Sequence, residues 1–447
     1  MPVDRRITLI AKVRRKLSGA RRIRYERRLT EGGRSEIDQV QCRRLDDHVA
    51  FAREHSRFYA KRYAELPKHP VLTDLPVVTK GELLSAYDEW STDPEVTWRA
   101  ASDFVADPDQ IGERFLGKYA VARSTGSTGS PSIHVRDRGW QRVYATLGQT
   151  RFRPRDGATR RSGRLKMAFL ARTDSHFAMY SDWKASTRGL APEVAASQRL
   201  FSLSIPIDLL VRQLNDFQPD IVSGPSSILD ELAYRQSEGS LQIGPMQIQG
   251  GSEALSPESA AAIGVAFGCP VRDRYTTTEA KFIAFGCDRG WLHVNEDWVV
   301  LEPVDEDLNP VVPGVPSTAV LMTELANEVQ PLIRYRMNDS VTVRPDACEC
   351  GNPFLAVRVR GKNYQVLRFV GSGTSRGAIH SAALDAVIQG HGVERRRLSA
   401  TETTLRVEVA MDGASPEVPS AALRELLDEH GLAFVEVAVV PFSGDEP

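Results

Sequence analysis

Residues 123 to 132 read RSTGSTGSPS, a run built almost wholly of glycine and hydroxyl side chains that follows the apolar stretch Tyr119–Arg123. Glycines let a backbone approach a polyphosphate closely, and serine and threonine hydroxyls add donors beside the backbone N–H groups. A loop of this kind after a buried strand is typical of triphosphate binding. The run by itself leaves a flexible Ser/Gly loop open as the alternative.

Beyond this loop, short apolar runs alternate with helical stretches. The pattern predicts strands at Leu165–Ala171, Ile221–Ser223 and Met246–Gln249, with helices over Ile207–Asn215 and Ile228–Gln236 between them. Strands that alternate with helices predict an α/β fold with mainly parallel sheets.

The two ends of the chain have different patterns. The first 102 residues have helical periodicity, and residues 291 to 343 are rich in predicted strands. The tail after Gly361 reads as strand, helix, strand, helix, strand, with helices over Ala378–Gln389 and Ser420–His430. We therefore predict a large N-terminal domain over residues 1–360, which begins with a helical entry region, and a small α+β domain over residues 361–447.

The composition argues against a disordered or fibrous chain. Of the 447 residues, 41% are hydrophobic and 26% are charged, and the net charge is -1. These values are typical of a globular chain and give no sign of a nucleic-acid partner. Residues 5–34 are strongly basic, which is typical of a solvated helix or of one that meets a membrane surface or an acidic partner. No secretory signal or spanning apolar run is evident, so we expect a cytoplasmic protein without integral membrane contact.

Three later segments contain side chains that are suited to binding a nucleotide. They are Gly250-Gly251-Ser252-Glu253, Tyr275-Thr276-Thr277-Thr278-Glu279, and the stretch from Pro331 to Asp339. An aromatic face, a hydroxyl donor and a hard carboxylate oxygen suit adenine, phosphate and Mg²⁺, and a second carboxylate suits a ribose diol. A surface carboxylate is the alternative for Glu279 taken alone.

The loop and these segments, in this order, resemble the motifs of the adenylate-forming (AMP-forming ligase) superfamily, in particular its phenylacetate–CoA ligase-like and coenzyme F390 synthetase-like branch. The resemblance implies an adenylation domain followed by a C-terminal lid domain, with ATP and Mg²⁺ as cofactors. It implies catalytic roles for Thr278, Glu279 and Lys362, with Glu279 on magnesium. The implied nucleotide contacts are Ser124, Thr125, Gly126, Ser127, Thr128, Gly129, Gly251, Ser252, Glu253, Tyr275, Asp339 and Arg360.

The sequence departs from the superfamily pattern at several positions. Ser132 stands where the loop usually has lysine, Thr276 replaces a glycine, and the hinge motif reads Gly361-Lys362-Asn363-Tyr364. No lysine follows Lys362, whereas members of the superfamily carry a catalytic lysine near the C-terminus. Arg360, Lys362 or Lys281 could replace its charge. Otherwise the chemistry differs from acyl-CoA formation, or activity has been lost.

The resemblance also places the acid substrate. It implies contacts from His176, Phe177 and Tyr180, and from Gly224 and Ser226 in the sequence GPSS. His176 could pair with the carboxylate of the substrate, and a purely structural role is an equal alternative. Phe177 and Tyr180 suit either an aryl acid or a packed core.

Four of the sulfur and imidazole side chains have metal-ligand character. Cys287 and His293 flank a Gly-Trp turn, and Cys348 and Cys350 follow much later, a set that would fill a tetrahedral structural Zn²⁺ site. Buried thiols beside an unrelated histidine are the alternative.

The leading functional hypothesis is ATP-dependent activation of a small aryl or acyl carboxylic acid as its adenylate, for transfer to CoA, a carrier-protein thiol or an amine. The first alternative keeps the fold but activates nitrite for diazotisation of an aryl amine. The second is a non-catalytic nucleotide-binding partner subunit. A second copy of the chain, forming a homodimer, is a further candidate partner.

Overall fold

The computed structural model describes residues 24–25, 28–29, 31, 33–124, 131–152, 165–360, 366–371, 376–390, 393–411 and 417–441. The chain divides into two compact units. The first unit comprises Met1–Ala122, Ile133–Ala158 and Arg272–Gly361, and the second comprises Arg123–Ser132, Thr159–Val271 and Lys362–Pro447. One change of unit falls between Gly361 and Lys362. The division into an adenylation domain over residues 1–360 and a lid over residues 361–447 stays a prediction.

The described residues from Arg34 to Ala106 are mainly helical. They form α1 (Arg34–His55), α2 (Arg57–Arg62), α3 (Lys80–Ser85), α4 (Tyr87–Trp90) and α5 (Trp98–Ala106). Helix α3 begins with a capping box, because the Thr79 backbone N–H donates to Glu82 Oε2 at 2.7 Å and the Glu82 N–H donates to Thr79 Oγ1 at 3.3 Å.

The middle of the chain alternates strands and helices. After β1 (Ala120–Arg123), β2 (Ile133–Arg136) and α6 (Arg138–Arg151), the order is β3 (Met167–Ala171), α7 (Ala178–Thr187), α8 (Pro192–Ala196), β4 (Gln198–Ser202), α9 (Ile207–Phe217), β5 (Ile221–Ser223), α10 (Ser226–Ser237), β6 (Gln247–Gln249), α11 (Pro257–Phe267) and β7 (Val271–Arg272). The predicted strands and helices of this region are present, with small shifts of their ends.

Strands β3 to β7 form one sheet with the order β4-β3-β5-β6-β7. Strand β3 pairs in parallel with β4 on one side and with β5 on the other, and β5 pairs in parallel with β6. Buried side chains of the strands and flanking helices, among them Leu170, Val222 and Ile248, form one hydrophobic core of the second unit. The chain leaves β3 toward one side and β5 toward the other, so a topological switch point lies between these two strands.

The rest of the first unit is antiparallel. Its strands are β8 (Arg274–Tyr275), β9 (Ala284–Gly286), β10 (Leu292–Val294), β11 (Val299–Val304), β12 (Ala319–Glu324), β13 (Leu332–Met337), β14 (Ser340–Val343) and β15 (Ala356–Arg360). They form a sheet of order β14-β15-β10-β9-β8 and a sheet of order β11-β12-β13. The predicted α/β fold with a strand-rich region is confirmed.

The C-terminal segment contains β16 (Val366–Val370), β17 (Arg376–His380), α12 (Ser381–Gly390), β18 (Val393–Ala400), β19 (Thr404–Met411), α13 (Glu417–Glu429) and β20 (Glu436–Pro441). The predicted helix from Ala378 was wrong at its start, because Ala378 pairs with Arg368 in the antiparallel β16–β17 ladder. The segment also has two more strands than predicted. Ladder pairing overrides the helical tendency of an alanine, and a short window of sequence does not reveal the pairing.

No helix within the described ranges is long and apolar enough to cross a membrane.

Candidate functional site

The ends of the Ser/Thr/Gly loop are held together by two serines. The Ser124 backbone N–H donates to the Ser132 carbonyl at 2.9 Å, and the Ser132 N–H donates to Ser124 Oγ at 2.8 Å. The two hydroxyl oxygens are 3.0 Å apart. Ser132, which occupies the position of the usual loop lysine, therefore closes the base of the loop. The predicted phosphate contacts Thr125, Gly126, Ser127, Thr128 and Gly129 lie outside the described residues.

The predicted acid contacts lie at the carboxyl edge of the parallel sheet, on both sides of the switch point. His176 and Phe177 belong to the segment after β3, and Gly224 and Ser226 follow β5. Gly224 is required by packing, because a Cβ at this position would lie 2.8 Å from Leu170 Cβ. Tyr180, on α7, has the Lys184 ammonium 5.5 Å from its ring centroid. The edge of a sheet at a switch point is where α/β folds bind small ligands.

A guanidinium occupies the first position after β3. Arg172 is only 7% exposed, and its Nε and Nη2 donate to Asp174 Oδ1 and Oδ2 at 3.1 and 2.6 Å. Its guanidinium carbon lies 4.3 Å from the Phe177 ring centroid. Arg123 is tied to the same segment, because its backbone N–H donates to the His176 carbonyl at 2.8 Å. Burial and the positive charge of Arg172 lower the pKa of Arg123. Neither arginine was predicted from the sequence as a site residue.

Glu253 has a local structural role. Its carboxylate accepts from the Ser227 N–H at 2.8 Å and from Ser227 Oγ at 3.1 Å, at the start of α10. A carboxylate is favoured at a helix N-terminus by the unpaired N–H groups and the helix dipole. Burial nevertheless raises the pKa of Glu253 to about 7, while the bonds from Ser227 act in the opposite direction. Ser252, the neighbouring predicted contact, is exposed and has a positive φ of 68°.

In the first unit, Tyr275 and Asp339 meet directly. The Tyr275 hydroxyl donates to Asp339 Oδ2 at 2.7 Å. Burial and the adjacent carboxylate raise the pKa of Tyr275, which keeps it a neutral donor. Asp339 precedes β14, whose first residue Ser340 pairs with Arg360 in the β14–β15 ladder. The structure therefore brings three of the predicted nucleotide contacts close to one another.

Three titratable side chains, those of His134, Lys80 and Tyr335, interact with Glu279. Its Oε1 lies 3.8 Å from His134 Nε2. Burial, together with the charges of Arg136 and Lys80, lowers the pKa of His134 to about 3, so this imidazole is neutral. Burial lowers the pKa of Lys80 and the charge of Glu279 raises it, which places the ammonium within electrostatic reach of the carboxylate. Burial and the hydrogen-bonded Glu279 carboxylate raise the pKa of Tyr335.

Lys80 reaches this cluster through a backbone bridge. The Val78 N–H donates to the Arg334 carbonyl at 3.0 Å, and the Arg336 N–H donates to the Val78 carbonyl at 2.9 Å. This pairing sets Val78 beside Tyr335, and Lys80 begins α3 two residues later. Lys80 was not predicted as a site residue, because it and Glu279 lie about 200 positions apart in the sequence.

The neighbouring motif residues are also fixed. Arg136, which is buried, donates from Nη2 to the Thr278 carbonyl at 2.5 Å, and its guanidinium lies 4.4 Å from the Trp140 ring centroid. The Thr277 and Ala280 backbones are linked by an N–H to carbonyl bond of 3.2 Å. The predicted catalytic residue Lys362 lies outside the described residues.

The four predicted metal ligands converge. The ligand atoms of Cys287, His293, Cys348 and Cys350 lie within 4.8 Å of one another. Cys287 Sγ and Cys348 Sγ are 3.8 Å apart, and His293 Nε2 is 3.2 Å from Cys350 Sγ. Two sulfurs bound at about 2.3 Å to one tetrahedral zinc lie about 3.8 Å apart, so the spacing fits such an ion. The predicted convergence is confirmed, whereas the identity of the metal is not determined.

Two similar turns present the ligands. The Gly290 N–H donates to the Cys287 carbonyl at 3.2 Å, and the Gly351 N–H donates to the Cys348 carbonyl at 3.0 Å. Both glycines have positive φ, 68° and 74°, a conformation that side chains other than glycine rarely adopt. His293 Nδ1 lies 2.9 Å from the Phe354 carbonyl, which can only accept, so Nδ1 carries the proton and the Nε2 lone pair faces the sulfurs.

The surroundings of Cys287 favour the thiolate form of its side chain. Burial acts to raise the pKa of Cys287, but the adjacent His293 side chain and hydrogen bonds from the Arg289 and Trp291 N–H groups outweigh burial and lower the pKa to about 6. Burial and the neighbouring thiols raise the pKa of Cys350. A cation at the centre of the cluster would stabilise all three thiolates at once.

Comparisons with known proteins show similarity of fold. No family model matches the chain. Protein CapK of Staphylococcus aureus is 24% identical over 163 residues, which cover 36% of this chain and 33% of that protein. The aligned part thus spans about a third of this relative's length.

Solved structures cover far more of the chain. A 2-hydroxyisobutyryl-CoA ligase in complex with 2-HIB-AMP and CoA, in the thioesterification state, is similar at a TM-score of 0.59 and 20% identity, over 94% of this chain and 89% of that one. The same ligase with R3-HIB-AMP, in the postadenylation state, gives a TM-score of 0.57 and 19% identity over the same shares. The chain therefore has the fold of an adenylate-forming ligase, with an N-terminal region and a small C-terminal domain.

Proposed function

We propose that this protein is an AMP-forming ligase that activates a small organic acid as its acyl adenylate. The observation that carries the proposal is the arrangement in the first unit, where Tyr275 donates to Asp339, Glu279 is hydrogen-bonded to Tyr335, and Lys80 lies within electrostatic reach of Glu279. It combines an oriented ribose acceptor, a carboxylate for a metal and a cation. The fold shared with a CoA ligase supports the same reaction class.

The reaction joins an acid to AMP. A carboxylate oxygen of the acid attacks the α-phosphorus of ATP, the bond to the β-phosphate oxygen breaks, and pyrophosphate leaves with the bonding electrons. The Lys80 ammonium would stabilise the negative charge that develops on the phosphate oxygens. In the second step a thiol or amine attacks the acyl carbon, and AMP leaves.

Glu279 suits magnesium. Its neighbour His134 is neutral and 3.8 Å away, so the carboxylate keeps oxygen lone pairs for a hard cation. Bound there, Mg²⁺ would neutralise charge on the polyphosphate. Asp339 would accept from the ribose hydroxyls, and the Tyr275 hydroxyl holds its carboxylate in place.

The finer assignments belong to this proposal. We assign the enzyme to the phenylacetate–CoA ligase-like type, with an aryl or acyl acid as substrate and CoA, a carrier-protein thiol or an amine as acceptor. We assign Zn²⁺ to the Cys287, His293, Cys348 and Cys350 site, where four protein ligands would leave no open position and make the ion structural. The predictions of a cytoplasmic location and a homodimer stay predictions.

The test is pyrophosphate release from Mg·ATP with a panel of aryl and aliphatic acids, with and without CoA. Nitrite with aryl amines forms a separate arm. Wild type runs beside Glu279→Ala and beside Glu65→Ala, which removes an exposed carboxylate elsewhere. We expect release with an acid that is lost in Glu279→Ala and kept in Glu65→Ala, and CoA dependence identifies the acceptor. Release only with nitrite and an amine would replace the proposal by the diazotising reaction, and ATP binding without any release would replace it by a non-catalytic role.

A further inference from the structure

The buried guanidinium group of Arg172 follows β3, at the switch point of the parallel sheet. One of its nitrogen atoms has no hydrogen-bond partner among the described residues. Nε and Nη2 of Arg172 are engaged by Asp174. Its Nη1 is buried and has no hydrogen-bond partner among the residues the structure describes. Leaving a charged donor buried and unsatisfied is costly, so such a group is typical of a site that a ligand completes.

The net positive charge of the side chains near Arg172 also favours a bound anion. Arg123 is half-buried, and its pKa is lowered by burial and by the positive charge of Arg172. Arg123, Arg172 and the single carboxylate of Asp174 sum to one positive charge. Like charges repel each other in a medium of low dielectric constant, and a bound anion would relieve the repulsion between the two guanidinium groups.

The chain holds the two arginines to one acid-binding segment. Arg172 begins the segment that contains the predicted acid contacts His176 and Phe177, and its guanidinium stacks on the Phe177 ring at 4.3 Å. Arg123 is fixed to the same segment by its backbone bond to the His176 carbonyl. Both arginines are therefore held to the segment that contains the predicted acid contacts.

We propose that Arg172 and Arg123 form a subsite for a second anionic group on the acid substrate, so that the enzyme selects acids carrying a carboxylate besides the one that is activated. The inference rests on the proposed function and narrows its substrate class. The Nη1 of Arg172 and the Arg123 guanidinium donate to this second carboxylate. Asp174 orients Arg172 and is a positioning residue.

Asp174 also argues against the nucleotide as the occupant. Its carboxylate lies directly on the Arg172 guanidinium, where it would repel the multiple charges of a triphosphate more strongly than the single charge of one carboxylate. An acid with one extra carboxylate fits the net charge of the cluster.

The experiment compares matched acids that differ in one carboxylate. Binding of succinate against butyrate, glutarate against pentanoate, and terephthalate against benzoate is measured by titration calorimetry in the presence of AMP. Pyrophosphate release is measured with the same six acids. Wild type is compared with Arg172→Met, with Arg172→Lys, with Arg123→Met, and with the matched control Arg212→Met on the exposed side of α9.

We expect wild type to bind at least one dicarboxylate about 10- to 100-fold tighter than its monocarboxylate partner, because hydrogen bonds to charged groups have about that value. Arg172→Met and Arg123→Met should bring this ratio close to one and leave AMP affinity unchanged. Arg172→Lys should keep part of the preference, and Arg212→Met all of it. Since Arg123 is less buried, its variant tests the proposal even where Arg172→Met lowers stability.

Two results would overturn the subsite. One is the lack of any dicarboxylate preference in wild type. The other is an equal weakening of AMP and of both acids in the arginine variants. Failure of the ligase reaction is separable: dicarboxylate preference in binding without pyrophosphate release removes the proposed function and keeps the subsite, whereas release with monocarboxylates alone keeps the ligase and removes the subsite.

Discussion

The hydroxyl of Tyr275 donates a 2.7 Å hydrogen bond to Oδ2 of Asp339, which lies 64 residues further along the chain. A superfamily resemblance assigns the first residue to adenine and the second to ribose, without linking them. The bond means that the orientation of the carboxylate depends on the aromatic side chain. Changes to either residue are therefore expected to affect the other.

Tyr275→Phe tests this dependence. The ring remains available for stacking, while Asp339 loses a donor that fixes its carboxylate, so we expect the KM for ATP to rise about 10-fold with little change in stability. ATP titration of pyrophosphate release measures it. The control is Tyr63→Phe, which removes a buried hydroxyl that has no hydrogen-bond partner in the described part of the chain. An unchanged KM in Tyr275→Phe would show that Asp339 is positioned without the phenol.

Lys80→Met tests the cation beside Glu279. Loss of one group that stabilises transition-state charge typically costs two to three powers of ten in rate, so kcat for pyrophosphate release should fall about 100- to 1000-fold. ATP affinity should change much less. Lys61→Met is the control, because Lys61 is an exposed lysine of the same unit that pairs with Glu89. Equal effects of the two substitutions would contradict a specific role for Lys80.

Metal content and stability test the cysteine and histidine cluster. We expect about one zinc per chain by elemental analysis, and we expect Cys348→Ser to lose it and to unfold about 5 to 10 °C lower, because metal binding and folding are coupled. Turnover well below the melting temperature should persist if the ion is structural. Cys42→Ser, which alters an exposed thiol, should keep both metal and stability. A metal-free wild type with unchanged stability in strong chelator would contradict the assignment.

The raised pKa of Glu253 predicts that the free energy of unfolding depends on pH. Its pKa is about 7 in the folded chain, raised by burial, and about 4.5 is the ordinary value for a glutamic acid. The folded state therefore binds the proton more tightly, so this group stabilises the fold at low pH, and its contribution is lost as pH rises from about 4.5 to about 7. The difference corresponds to about 3 kcal/mol.

Glu253→Gln should remove this dependence. Urea unfolding at pH 5, 6, 7 and 8 should show the variant gaining stability relative to wild type as pH rises. Glu193→Gln, at an exposed position, should show no such trend. Parallel curves for wild type and Glu253→Gln would mean that the carboxyl of Glu253 titrates normally.

Local sequence was sufficient for the elements whose signals are local. The alternation of strands and helices predicted the parallel sheet, because hydrophobic periodicity follows directly from the geometry of each element. The Cys287-to-His293 and Cys348-to-Cys350 spacings predicted the ligand set, because Cys287 and His293 flank one turn and Cys348 and Cys350 lie in another. Where pairing with a distant strand decided the structure, as at Ala378, the local pattern pointed to the wrong element.

Tertiary structure alone decided which side chains meet. The Val78 bridge to β13 brings Lys80 within electrostatic reach of Glu279. Tyr275 donates to Asp339, and Glu253 accepts hydrogen bonds at the start of α10. Arg123 is joined to the segment that begins at Arg172 by the backbone bond to the His176 carbonyl, 53 residues further along the chain. The physical reason is the same in each case: the sequence by itself determined the chemical type of each group and its local backbone, whereas burial, charge pairing and pKa depend on partners that long-range packing brings together.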